Sequence, residues 1–143
     1  MFTKKTAFTM IELVFVIVVL GILAAIAIPK FAATRTDAQI TKGRADVATI
    51  RSAIISERQA RLIKGDSAWI SQLSDNNDTL FTKNNLLMYG ISAGTTAGHW
   101  SRTATNSYVF KLPGNDCAFT YSSTDGKFTL NSNQNAICDQ LVK

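Results

Sequence analysis

The apolar positions of the chain fall into three patterns, and each predicts a different element. Residues 8–28 are an almost unbroken apolar run. A helix of that length crosses the hydrocarbon of a bilayer, at a rise of about 1.5 Å per residue. From Lys30 to Lys64 the apolar residues thin to one stripe, Ile40, Val47, Ile50 and Ile54, with the period of an amphipathic helix. Arg44, Arg51 and Arg58 recur beside it. After Gly65 the period changes to two. Tyr108, Phe110 and Leu112 share one side of a strand, as do Cys117, Phe119 and Tyr121, and then Phe128 and Leu130. Thr124, Asp125 and Gly126 form a hairpin turn between the last two runs.

Together these patterns predict an α+β fold: a long N-terminal helix over 8–64, membrane-spanning over 8–28, packed on a small antiparallel β-sheet in a head over 65–143. The helix stripe would cover the apolar face of a three- or four-stranded sheet. Gly65 reads as the C-cap, and Arg58, Arg61 and Lys64 suit the negative end of the helix dipole. Two weak points interrupt the helix. Pro29 removes a backbone hydrogen bond and crowds the preceding turn. Gly43 costs about 1 kcal/mol relative to Ala. Residues 67–73 read as one short helical turn. Residues 75–96 read as loop, with Leu80, Phe81, Leu86, Leu87, Met88 and Tyr89 as packing points.

Charge is unevenly spread. Residues 1–65 hold ten Lys and Arg against four acids, and the rest of the chain holds five against six. A basic head that grips nucleic acid is therefore not supported. The basic helix face would be solvated, or would meet anionic lipid or a groove on a neighbouring subunit.

Glu12 is the one charge within residues 8–28. Such a charge costs about 2.5–3.5 kcal/mol on insertion, so it calls for a partner. Residues 1–7 are a short polar leader with Lys4 and Lys5, ending in the small Ala7. A cut between Ala7 and Phe8 would create an ammonium group at Phe8, four residues before Glu12 and on the same helix face. That group, on the same chain or a neighbouring one, would offset the carboxylate. Two plainer readings stand beside this one. The first is a secretory signal peptide cut after Ala25, Ile26 and Ala27. The second is a single-pass anchor with an incidental acid. In each case Lys4 and Lys5 hold the N-terminus in the cytoplasm, and the chain from Lys30 onward faces outward.

Lys4, Lys5, Thr6 and Ala7, followed by Phe8, Thr9, Met10, Ile11, Glu12 and Leu13, resemble the leader and mature N-terminus of type IV pilins and type II secretion pseudopilins. Pro29, near the end of the apolar span, extends the resemblance, and Ala7 stands where the family usually has Gly. The resemblance covers about the first 30 residues and implies a pilin-like fold. It also implies that a prepilin peptidase cuts between Ala7 and Phe8, and that Phe8 is then N-methylated. Helices would bundle with Glu12 of one subunit near the Phe8 amine of another, and the chain around Pro29 would either kink or unwind on passing from membrane to filament. The implied partners are further copies or related pilins in a mixed filament, the inner membrane, the peptidase, and the assembly platform of the machine. The precursor would be a single-pass inner-membrane protein with a periplasmic head, later built into a periplasmic pseudopilus or a surface pilus. Its function would be that of a structural subunit for protein secretion or DNA uptake. The alternatives are a major type IV pilin for adhesion or motility, and a membrane-anchored periplasmic binding module.

Cys117 and Cys138 are the only cysteines. An even pair in an exported chain reads as a disulfide, worth about 3 kcal/mol in the chain-entropy model for a loop of this length. No catalytic constellation occurs: His99 is the single histidine and has no acid near it in sequence. The chain reads as a structural subunit and not an enzyme. Asp116, Asp125 and Asp139 lie around the C-terminal tail without EF-hand spacing. The resemblance makes calcium the one candidate cofactor, with Asp116 and Asp139 as candidate ligands. Asn77, Asp78 and Thr79 form an Asn-x-Thr sequon, with Asp75 two places before Asn77, as some bacterial glycosylation systems prefer.

Overall fold

The computed structural model describes residues 7–132 and 134–143. The polar leader with Lys4 and Lys5 lies outside the described residues except for Ala7. The chain divides into two compact units, Met1–Arg35 and Thr36–Lys143. Helix α1 (Met10–Ile63) supplies residues to both.

In the first unit α1 runs through Pro29 without a break in its helical assignment. Its large apolar side chains, from Met10 to Phe31, are all exposed.

In the second unit α1 presents the expected stripe. Ile40, Val47, Ile50 and Ile54 are buried, and so is Gly43. They face a four-stranded antiparallel sheet in the order β3 (Trp100–Ala104), β4 (Ser107–Leu112), β5 (Asn115–Ser122), β6 (Lys127–Leu130). Pairing of Trp100 with Phe110, Phe110 with Cys117 and Tyr121 with Phe128 aligns the alternating apolar residues on one face. The result is the helix-on-sheet layering of a pilin-like α+β protein. Phe81 enters this layer from the segment before the sheet, its ring 4.7 Å from Tyr108 and 5.8 Å from Trp100. Cys117 and Cys138 are joined by a disulfide that ties the short helix α2 (Ala136–Asp139) to β5.

Gly43 is a contact, not a weak point. A Cβ there would lie 2.6 Å from Phe110 Cε1 and 2.7 Å from Leu141 Cδ2, so the missing side chain lets the sheet and the tail close onto the helix. The C-terminus of α1 is a Schellman motif. Gly65, at φ +82°, and Asp66 donate their N–H groups to the carbonyls of Leu62 and Arg61.

The basic stripe makes contacts within the head. Arg44 Nε donates to Gln140 O at 2.9 Å, and Arg51 Nε donates to Phe128 O at 3.0 Å. The Arg58 guanidinium lies 4.8 Å from the Trp69 ring centroid, and Lys42 Nζ donates to Gly98 O at 2.6 Å. These side chains fasten α1 to the head.

Three local expectations change. Residues 67–73 form no helical turn, because side chains tie this stretch to the sheet. Tyr121 Oη donates to Ile70 O at 2.8 Å, and Asn106 Nδ2 donates to Ser71 O at 2.9 Å. The buried Ser74 hydroxyl accepts from Phe81 N and from Tyr108 Oη. Met88 and Tyr89 do not pack: they are 84% and 86% exposed, while Leu80, Phe81 and Leu86 are buried. Inside the predicted loop, β1 (Thr79–Leu80) pairs with β2 (Ile91–Ser92), and a single 3₁₀ turn covers Lys83–Asn85.

Two predictions follow from this packing. Gly43→Ala should lower the stability of the head, because overpacking costs about 1–3 kcal/mol against the about 1 kcal/mol that Ala gains over Gly in a helix. Denaturant titration reads the sign, and a plain weak point would give stabilisation instead. The second concerns alkaline pH. Burial raises the Tyr121 hydroxyl to about 12, above the ordinary value of about 10. The folded state therefore holds this proton more tightly than the unfolded one. Its contribution is complete below about pH 10 and is lost as pH rises through about 12. Tyr121→Phe should flatten that alkaline loss while lowering stability at neutral pH by about 1 kcal/mol through the unpaired Ile70 carbonyl. Thermal melts from pH 8 to 12 test both effects.

Candidate functional site

The start of α1 is set by Thr9, not by Phe8. Thr9 stands at the N-cap, and its carbonyl accepts the Leu13 N–H at 3.2 Å. Its backbone N–H and its hydroxyl both donate to Glu12 Oε2 at 2.8 Å, and the Glu12 N–H donates back to Thr9 Oγ1 at 3.3 Å. This is a capping box, the reciprocal satisfaction of helix N-terminal donors by a Thr and a Glu three residues later. Thr9, Met10, Ile11 and Glu12 spell that signature in the sequence. The helix consequently begins two residues later than the apolar pattern predicts. Ala7 and Phe8 precede it, with Phe8 85% exposed.

The box satisfies half of the carboxylate. Oε2 takes both Thr9 bonds, and Oε1 makes no hydrogen bond among the described residues. Glu12 sits in the first turn, where the helix dipole favours negative charge. Ile11, Val14, Phe15 and Val18 flank it in one shallow apolar groove. Among the described residues none in the most apolar stretch of α1 is buried, and the stretch is long enough to cross a bilayer.

The remaining sites are separate. Cys117 and Cys138 are bonded to each other in the head. Asp116, a calcium candidate, pairs with Lys111 Nζ at 3.0 Å, and Asp125 pairs with Lys127 Nζ at 3.0 Å. Asp139, the other calcium candidate, lies at the end of α2. Among the described residues, no group of three or more His, Cys, Asp and Glu comes together. His99 is exposed, with Nδ1 3.0 Å from the Thr96 hydroxyl. Asn77 is exposed in a bend ahead of β1.

The family described as the prokaryotic N-terminal methylation motif matches residues 2–28 of the chain. The chain carries the type IV pilin and pseudopilin signature. The match contains Ala7, Phe8, Thr9 and Glu12 and stops one residue before Pro29, so the pilin motif and the exposed apolar stretch of α1 largely coincide. No curated protein and no solved structure matches the chain. Pilin-motif proteins are structural subunits, and the motif implies pilin-type assembly and processing by a prepilin peptidase. Together with the apolar helix it suits a membrane-anchored precursor.

The capping box is testable apart from assembly. Thr9→Val should remove the side-chain half of the box and cost the first turn about 0.5–2 kcal/mol, whereas Thr9→Ser should preserve it. Faster amide exchange at residues 10–13 in micelles, for the Val variant only, is the expected readout.

Proposed function

We propose that this chain is a pseudopilin-type filament subunit serving protein secretion or DNA uptake, held in the inner membrane by the first part of α1 until it is assembled. The peptidase cuts between Ala7 and Phe8, and the new Phe8 amine is methylated. The supporting observation is the state of Glu12: among the described residues it is capped through one oxygen by its own Thr9 while the other oxygen makes no hydrogen bond, on a stretch of helix whose large apolar side chains are exposed. A Phe8 ammonium from the neighbouring subunit can meet that open oxygen without breaking the cap. In hydrocarbon, a misaligned neighbour leaves the carboxylate short of a counter-charge, at a cost of about 2.5–3.5 kcal/mol per subunit. The pair therefore sets axial register as well as affinity. Heads closed internally by Cys117–Cys138 form the outer wall of the filament. The exposed ridge at Met88 and Tyr89 belongs to that wall. The small head with one short disulfide loop favours a pseudopilin over a major pilin.

Glu12→Val should leave membrane insertion intact and reduce filament yield at least tenfold, read by shearing and imaging in cells that express the assembly machine. Normal yield from Glu12→Val would remove the role given to the pair. Long surface fibres formed by the wild-type chain would move the assignment to a major pilin.

A further inference from the structure

Asn77 opens the one Asn-x-Ser/Thr run among the nine asparagines of the chain, and the filament reading makes no use of it. Among the described residues, most of the other asparagines have bonded side chains, and Asn85, exposed like Asn77, lies in no such tripeptide. Asn106 is bonded to Ser71 O, Asn131 to Thr120, Asn84 to Glu57, and Asn115 and Asn135 to each other. In the bend at 76–78 the tying residue is Asn76, whose Oδ1 accepts from Asp78 N at 3.1 Å and from Thr79 N at 2.8 Å. The Asn77 carboxamide is exposed and makes no hydrogen bond among the described residues. It borders a shallow polar cleft of about 300 Å³ that is completed by Arg102, Thr103, Ala104 and Thr105, at the turn between β3 and β4. A free amide in the required tripeptide, beside a polar recess of sugar size, is the arrangement of an acceptor.

We propose that Asn77 carries an N-linked oligosaccharide. Its Nδ2 attacks C1 of the first sugar of a lipid-pyrophosphate-linked oligosaccharide. The C1–N bond forms as the C1–O bond to pyrophosphate breaks. The lipid pyrophosphate leaves with the electron pair, and the amide proton passes to a base of the transferase. Thr79, the recognised hydroxyl residue, begins β1, whose ladder with β2 is only Thr79 with Ser92 and Leu80 with Ile91. So short a ladder opens readily, or closes after transfer. The first sugar then lies against Thr103 and Thr105. The proposal rests on the head being exported, since it needs a donor on the outer side of the membrane.

The test is peptide mass mapping of the full chain purified from cells that make it. Trypsin releases residues 65–83 as one peptide, between Lys64 and Lys83. The expected result is a sugar-mass increment on that peptide, placed on Asn77 by fragmentation, lost in Asn77→Gln and in Thr79→Val, and kept in Asn76→Gln. A bare peptide overturns the proposal, as does an increment that survives Asn77→Gln and so sits on a hydroxyl. The same digest reads the Cys117–Cys138 link. Bare Asn77 beside an intact link overturns the glycan alone, whereas bare Asn77 with free thiols overturns export as well.

Discussion

Where α1 meets the sheet, Gly43 leaves room for Phe110 and Leu141 to reach the helix backbone, and the rest of the head is arranged around that approach. Leu141 can arrive there because the disulfide anchors α2 to β5. With helix and sheet this close, Ile50 and Ile54 are shut off from water and the aromatic layer of Phe81, Trp100, Tyr108, Phe119 and Phe128 forms one continuous cluster. Close packing of this kind tolerates little change in volume. It makes a helix glycine, normally a cost, into a requirement.

The polar groups around this core serve the same end. Asp46 accepts the Trp100 indole N–H at 3.0 Å, so the largest core side chain is buried with its donor satisfied. Arg51 occupies the Phe128 carbonyl of β6, the last strand of the sheet, where an open edge would otherwise invite pairing with another chain. The Arg58–Trp69 stack sits over the β5–β6 hairpin, at Gly126, where a Cβ would strike the Trp69 ring. Charge that looks like a binding surface in one dimension is spent on holding the head together.

The first part of α1 follows a different physical rule. Among the described residues its large apolar side chains are exposed, as suits a segment that lies in lipid or against other subunits. In such surroundings a carboxylate is tolerable only when its oxygens are met. Thr9 meets one of them. In the proposed filament the other oxygen would tie the chemistry of the N-terminus to assembly.

The long helix, the core stripe from Ile40 to Ile54, three of the four sheet strands and the pilin-type N-terminus were legible in the sequence, because each is written in local periodicity or in a short motif. The capping box was equally legible, since Thr9 and Glu12 have the required spacing. Strand β3 was not, because only Trp100 among its residues is buried and no alternation marks it. The meaning of Gly43 and of the arginine stripe, and the irregular path of residues 66–78, were decided by the tertiary structure alone. Each depends on atoms far away in sequence: the ring of Phe110, the carbonyls of Gln140 and Phe128, the hydroxyl of Tyr121. Periodicity says which face of an element is apolar, but only the fold brings up the partner that turns a glycine into a contact and a charge into a fastening.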